Sequence, residues 1–467
     1  MIQIFLIILA LLSPPKLNTL PKIDTMFVQW KSEANKEEIL SEVSGIESVN
    51  HYSHIPNLTL LDMDDVSSMK EALTKLASNP NVEYVEEDLW LTVERQSLPP
   101  NDPGFSQCWG LNNTGSGNGV AGWDMDALGA WQITTGDPSV KVMIFETGVD
   151  ENHADLNLDI GRNFTTGVVN GVPGGSPTNS CDNHGTAVAG CISAKINNQS
   201  GTVGIAPNCK VVSAKVGIAV TPCNGSWNGQ TSWTVNALNW AISAGIRVTN
   251  NSNDYGVSSN AMTTAYAASR NAGIVHFASS GNGGTESIGF PARLSTVNAV
   301  GSSARNKTKS SFSSYGSGLA FVAPGQSIYT TDRTGNAGYS STNWVTIDGT
   351  SFSSPYAAGV AALLISIKPN ITPAEIESVM SSTSTDMQST GYDIFTGWGM
   401  INAEKALKAI LPPPCPSDIN DDSVVDGVDL GILLGNWGTS NPTTDLNDDN
   451  FVDGVDLGIL LGGWGNC

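Results

Sequence analysis

The residue best placed to act as a nucleophile is Ser351, in the run Gly349-Thr350-Ser351-Phe352-Ser353-Ser354-Pro355. The small-residue stretch Tyr356-Ala357-Ala358-Gly359-Val360-Ala361-Ala362-Leu363 follows, and it reads as a helix initiated at Pro355 and slim enough to sit deep in a core. A serine just ahead of such a helix has its hydroxyl at the positive end of the helix dipole, where developing negative charge is stabilised. Acyl transfer is the chemistry this suits. Taken alone, Thr-Ser before a helix is equally an ordinary N-cap. A base elsewhere in the chain has to decide between the two readings.

The chain has five histidines, of which His153, His184 and His276 lie beyond the N-terminal segment considered below. His184 opens the run His184-Gly185-Thr186-Ala187-Val188-Ala189-Gly190, a second helix whose Gly and Ala positions permit tight packing. His276 falls in the apolar run Ile274-Val275-His276-Phe277-Ala278, where a hydrogen-bonded core histidine is expected. His153 lies in the polar turn Asp150-Glu151-Asn152-His153-Ala154-Asp155 and is expected to be structural. His184 is therefore the expected base.

Further runs accompany these two: Val142-Met143-Ile144-Phe145-Glu146-Thr147-Gly148-Val149-Asp150, Val203-Gly204-Ile205-Ala206-Pro207, Ser279-Ser280-Gly281-Asn282, Ser310-Ser311-Phe312-Ser313-Ser314-Tyr315-Gly316, Ala323-Pro324-Gly325 and Gly397-Trp398-Gly399. In the order acid, histidine, serine, the set resembles the subtilisin-like serine peptidases between about Trp109 and Ile410. The resemblance implies an α/β fold with a mainly parallel sheet and flanking helices, and a serine endopeptidase acting on protein or peptide substrates. It also implies Ser351 as nucleophile, His184 as base, and Asn282 with the Ser351 backbone N–H as oxyanion donors. One position departs, because Glu146 stands where the family has aspartate. A carboxylate remains available to orient the imidazole, but its extra methylene has to be accommodated. A catalytically impaired binding protein that keeps the fold is the alternative this departure raises. The run Val248 to Gly256 resembles the family's substrate-pairing strand, which makes Ser252, Asn253 and Asp254 substrate-binding candidates. Family members usually carry an apolar residue and a glycine where Asn253 and Asp254 stand. Asp254 either favours a basic substrate side chain or faces solvent.

These residues need elements to position them. At 467 residues the chain is too long for one ordinary domain. A net charge of −22, from 44 acidic against 22 basic residues, argues against a nucleic-acid partner and for cation binding. Residues 1–20 begin with a nearly unbroken apolar run to Leu12, closed by Ser13-Pro14-Pro15. That run is too short to span a bilayer and reads as a signal-peptide core, hence a secreted, extracellular or cell-surface protein; a buried helix is the other reading. Residues 24–95 read strand, helix, two strands, helix, strand, a ferredoxin-like arrangement. This segment resembles the family's inhibitor-type propeptide, which implies an intramolecular inhibitor cut away between about Leu91 and Pro103. A peptidase region over 100–410, a stiff linker over 411–414 and a terminal module over 415–467 complete the expected order.

Two regions are candidates for structural calcium. Asp155 and the loop Ile196 to Thr202, with Asn198 as a side-chain ligand, resemble the family's high-affinity site; a plain Asn-rich turn is the alternative. The terminal module contains two copies of one twelve-residue loop. The first places Asp418, Asn420, Asp422, Asp426 and Asp429 at positions one, three, five, nine and twelve, and the second places Asp445, Asn447, Asp449, Asp453 and Asp456 there. This is EF-hand spacing, with Asp for Glu at the last position and no glycine at the sixth. The duplicated loop and short apolar helix resemble dockerins, which implies a cohesin-like partner or a surface anchor; a disordered acidic tail is the alternative.

Seven cysteines behind a signal-like leader point to disulfides. Cys415 and Cys467 bracket the terminal module as a plausible pair. Cys181, Cys191, Cys209 and Cys223 are expected to form two bridges, with Cys108 left over. No His or Cys cluster has zinc spacing.

Overall fold

The computed structural model describes residues 24–31, 34–52, 55–88, 99–411, 415–420, 424–441, 443–447, 449 and 451–466. The expected signal peptide, most of the expected processing region, the three linker prolines, Asp422 and Cys467 lie outside them.

The N-terminal segment contains β1 (Thr25–Trp30), α1 (Lys36–Ser41), β2 (Ile46–His51), β3 (Leu58–Met63), α2 (Val66–Ala77) and β4 (Val82–Glu87). They form one antiparallel sheet in the order β2-β3-β1-β4. Strict alternation in β1 and β3 sends Met26, Val28, Trp30, Leu61 and Met63 to one face, where Met69, Ala72 and Leu76 of α2 cover them. The Asp65 side chain accepts the Ser68 N–H at 2.7 Å and caps α2.

The central unit, Gln96–Leu411, is a three-layer α/β structure. After α3 (Ala127–Ile133) come β5 (Lys141–Glu146), β6 (Leu158–Asn163), β7 (Val172–Pro173), α4 (His184–Ser193) and β8 (Lys210–Lys215). A small hairpin, β9 (Gly217–Ala219) and β10 (Trp227–Gly229), leads to α5 (Thr231–Ser243), β11 (Val248–Asn251), α6 (Asn260–Asn271), β12 (Val275–Ser279), β13 (Asn298–Ser303) and β14 (Leu319–Pro324). A second hairpin, β15 (Ile328–Thr331) and β16 (Trp344–Ile347), precedes α7 (Thr350–Ile367), α8 (Pro373–Thr383) and α9 (Ala403–Ile410).

The main sheet runs β14-β13-β12-β11-β5-β8-β6-β7, with every neighbouring pair parallel except β6 and β7. The apolar run in β5 follows from burial on both faces. Val142 and Ile144 join the core beneath α4 and α7, while Met143 and Phe145 join the core beneath α5 and α6. Each such large side chain contributes roughly 1.5–3 kcal/mol by leaving water. From β5 the chain builds β6, β7 and β8 on one side, with β8 returning to lie beside β5, then restarts at β11 on the other. The crevice at the carboxyl ends of β5 and β11 is thus a topological switch point, where α/β sheets place ligands.

The α7 helix begins at Thr350, five residues earlier than Pro355 suggested. Proline removes the N–H that would have bonded the Ser351 carbonyl, yet the helix continues through it. Ser252 Oγ supplies the missing donor to that carbonyl at 2.7 Å. The strand expected over Val248 to Gly256 is shorter, ending at Asn251, because Ser252 turns its hydroxyl and carbonyl toward α7 instead of a neighbouring strand.

The terminal module holds β17 (Val424–Val425), α10 (Gly427–Gly435), α11 (Gly454–Gly462) and β18 (Gly465–Asn466). Val425, Leu433, Val452 and Leu460 form its small core, and β17 pairs with β18. Cys415 is disulfide-bonded, as expected; its expected partner Cys467 lies outside the described residues.

Candidate active site

Three of the expected site residues sit where elements end at the switch point. Glu146 is the last residue of β5, His184 the first of α4, and Ser351 lies in the first turn of α7. Glu146 is fully buried, and its Oε1 accepts a hydrogen bond from His184 Nδ1 at 2.9 Å. Its Oε2 accepts the Thr147 N–H at 3.2 Å. The extra methylene is therefore accommodated in a geometry that still reaches the imidazole. Gly185 makes room, since a Cβ there would stand 2.4 Å from the Gly148 carbonyl oxygen and 2.9 Å from Glu146 Cβ.

With Nδ1–H committed to the carboxylate, Nε2 is the basic nitrogen of the neutral ring. Partial burial pulls the His184 pKa down, but the Glu146 charge and hydrogen bond outweigh it and hold the pKa above the ordinary histidine value. The other two histidines have the expected structural roles. His276 is fully buried between Thr249 Oγ1 at 2.6 Å and Ser269 Oγ at 3.0 Å, and burial with the nearby Arg270 charge pushes its pKa to about 3. His153 Nδ1 accepts the Asp155 N–H at 3.2 Å, so Nε2–H donates to the Asn343 carbonyl at 3.0 Å.

Ser351 is nearly buried, and its Oγ donates to the Ser252 carbonyl at 3.0 Å rather than to His184. Its backbone N–H, in the first helical turn, has no intrahelical acceptor. Gly349, at φ +151°, gives the chain the bend from which that turn starts. Asn282 follows β12, and its Oδ1 accepts from both the backbone N–H and Oγ1 of Thr350, each at 2.9 Å. The carbonyl end of the amide is thereby fixed, leaving Nδ2 as the donor facing the cleft. His184, Ser252, Asn253, Asp254, Asn282 and Ser351 all line one cavity of about 650 Å³. What this arrangement can do is form and stabilise a tetrahedral adduct at a carbonyl carbon.

A model of the subtilase peptidase family matches residues 137–399, more than half of the chain. The chain belongs to the subtilase family. It is 32% identical to an alkaline protease of Alkalihalobacillus alcalophilus over 380 residues, covering 80% of this chain and 86% of that protein. It is also 32% identical to subtilisin E of Bacillus subtilis over 381 residues, 81% and 87% of the two chains. Among solved structures, a protease from Pseudoalteromonas arctica matches with a TM-score of 0.57 and 28% identity, over 67% of this chain and 99% of that one. Fervidolysin from Fervidobacterium pennivorans shares the fold, with a TM-score of 0.56 at 24% identity over 83% and 61%. This subtilase is a serine-type endopeptidase, and its substrates are peptides.

Sequence reasoning missed a buried cation beside the site of this subtilase. Lys215 ends β8 with no exposure, and its Nζ donates to Asp182 Oδ2 and the Gly217 carbonyl, both at 2.9 Å, and to the Thr147 carbonyl. It thus ties together the residue after Glu146, the turn before His184 and β9. Burial draws the Lys215 pKa below its ordinary value against the pull of Asp182. The available signal was a lone lysine ending the apolar run Val211-Val212-Ser213-Ala214-Lys215.

Only Cys181 and Cys223 are bridged among the four cysteines expected to form two pairs. Cys191 and Cys209 are buried thiols with separate neighbours, Cys191 beside Thr330 and Cys209 beside Ser366. Their pKa values are pushed up by burial to about 12 and about 11.

Asp155 and Asn198 carry the calcium expectation of the peptidase unit. The two are together, but Asp155 Oδ1 accepts from Asn198 Nδ2 at 2.7 Å, and Oδ2 accepts from the Thr202 N–H and Trp344 Nε1, both at 3.0 Å. Asp102 takes the Asn197 and Asn198 N–H groups at 2.7 and 3.1 Å.

In the terminal loops, Asp429 is buried and its Oδ1 accepts the Ile419 and Asn420 N–H groups at 2.8 and 3.1 Å. Asp456 does the same with Leu446 and Asn447, at 2.6 and 3.1 Å. Asp426 and Asp453 cap α10 and α11. Asp445 accepts the Asp449 N–H at 3.2 Å, and Asn447 Nδ2 donates to Asp449 at 2.8 Å. Among the described residues no three acidic, His or Cys side chains converge as a metal-holding group. Each loop nevertheless closes from position twelve onto positions two and three, and supplies only oxygen-bearing side chains, so the donor chemistry fits a hard cation.

Proposed function

We propose that Ser351 attacks the scissile carbonyl of a peptide while His184 Nε2 takes its proton and later delivers it to the leaving amine. Glu146 holds the imidazole in the productive tautomer and stabilises the imidazolium. Asn282 Nδ2 and the Ser351 N–H receive the oxyanion. An acyl-enzyme on Ser351 forms and water hydrolyses it. The observation that carries this reading is the 2.9 Å bond between the buried Glu146 and His184, which supports glutamate in the role the family gives to aspartate. The Ser351 hydroxyl, turned to the Ser252 carbonyl, is compatible with it, since catalytic hydrogen bonds often tighten only when substrate binds.

The protein is secreted as a precursor whose residues 24–95 inhibit it until they are cut away. Its terminal loops bind calcium, and the module attaches the enzyme to a cohesin-like partner or a cell surface. Expression of the full chain tests the catalytic reading. Release of the segment before about residue 100 should occur in the parent and stop in Ser351→Ala, and equal release from both would contradict it.

A further inference from the structure

From the cavity beside Ser351 we infer that this enzyme cleaves after a cationic side chain, lysine or arginine, held by Asp254. The inference rests on the catalytic reading of Ser351 and His184 above and adds the substrate class.

A peptide carbonyl presented to Ser351 brings its own side chain into the cavity that Ser351 lines. The segment Ser252-Asn253-Asp254 forms one wall. Ser252 touches Ser351 directly, and Asp254 is two residues along, at most about 7 Å by chain length. The Asp254 carboxylate is built into place. Its Oδ1 accepts the Gly256 N–H at 2.8 Å and the Phe290 N–H at 3.1 Å. Gly289 makes this approach workable, because a Cβ there would stand 2.6 Å from Asp254 Cγ and 2.7 Å from Oδ2. One oxygen is therefore anchored by backbone donors, while the side chain as a whole is exposed to the cavity.

The surroundings favour a cation. Among the described residues no lysine or arginine lines the cavity, and Asp348 is a second carboxylate in its lining. Arg293, on the segment following Gly289, is turned to Ser258 Oγ and lies over the Phe290 ring, outside the cavity lining. Trp227 and Tyr255, in edge contact at 6.4 Å, line the cavity and give an aliphatic stem an apolar surface while its charged head reaches the carboxylate. An acidic side chain there would meet the Asp254 carboxylate, with no counter-charge among the described lining residues.

The test is a series of peptide p-nitroanilides with Arg, Lys, Leu, Phe or Glu before the scissile bond, assayed with the processed enzyme and with Asp254→Asn. Asparagine keeps an oxygen for the two N–H groups, so the local fold survives. A charge-assisted contact predicts an Arg-to-Leu ratio of kcat/KM on the order of ten or more in the parent, falling about tenfold in Asp254→Asn. A parent that cleaves Leu or Phe substrates as well as Arg, or an unchanged ratio in the variant, overturns the inference and leaves the catalytic reading standing. Calorimetric binding of product peptides ending in Arg or Leu to Ser351→Ala separates the two claims further. Tighter binding of the Arg peptide supports the inference even if no substrate is cleaved, and equal binding overturns it.

Discussion

Replacing Glu146 by aspartate would restore the family's usual residue, and the structure predicts that it damages this enzyme. Aspartate withdraws the carboxylate by one carbon–carbon bond, about 1.5 Å. With the backbone fixed, the 2.9 Å bond to His184 Nδ1 would open to about 4.4 Å, beyond hydrogen-bond reach. The backbone has little freedom to close that gap. Strand β5 is paired with β8 up to Glu146 and with β11 up to Ile144, and Gly185 already packs against Glu146 Cβ and Gly148. A displacement of about 1 Å in a catalytic group costs about a hundredfold, so kcat/KM should fall by roughly that factor or more. The lost methylene also leaves a void in a fully buried place, costing about 1 kcal/mol of stability. Peptide hydrolysis and thermal unfolding of Glu146→Asp beside the parent measure both terms. An aspartate variant as active as the parent, or more so, would refute the argument that the fold has been tailored to the longer side chain.

Because Glu146 raises the His184 pKa, kcat/KM should rise with pH through a value above that of an ordinary histidine, and Glu146→Gln should move this acid limb downward while lowering the rate about 10⁴-fold. The linkage to stability has the opposite sign: the pair's contribution is fully present below the unfolded histidine pKa and is lost as pH rises through the folded one, which thermal unfolding from pH 5 to 9 would show. Asn282→Ala should lower kcat about 10²–10³-fold with little change in KM, the cost established for this donor in subtilisin itself, as steady-state kinetics would report. Lys215→Met leaves the buried Asp182 carboxylate without its cation and should cost about 3–5 kcal/mol, read as a lower unfolding midpoint. A chelator should lower the unfolding midpoint of the terminal module in calorimetry, because the cation its loops are proposed to bind stabilises the folded form.

The parts of the site that were legible in the sequence are those fixed by local chain geometry. Ser351 and His184 announce themselves because each opens a helix of small residues that must pack closely, as Gly190 does against Thr330 and Thr331. Asn282 and Glu146 were reached through the family resemblance; Asn282 lines the cleft, and Glu146 lies buried behind His184. What stayed hidden depends on contacts between distant segments. Pro355 reads locally as a helix start, and only the Ser252 hydroxyl, 99 residues away, lets α7 begin earlier. The cysteine spacing could not reveal that Cys191 and Cys209 face different neighbours. Asp155 and Asn198 read together as a cation site, and their spacing does not reveal that Trp344, 189 residues along the chain, donates to the same carboxylate. Lys215 reads as the polar end of a strand, and its role emerges only when Thr147, Asp182 and Gly217 gather around it.

The central claim is that Ser351 is an activated nucleophile despite glutamate in the acid position. Covalent labelling of the processed protein by a fluorophosphonate probe tests it most directly. The account predicts one labelled site, mapped to Ser351 by peptide analysis and absent in Ser351→Ala. An unlabelled parent whose labelling appears only in Glu146→Asp would contradict the account and mean that glutamate disables the triad.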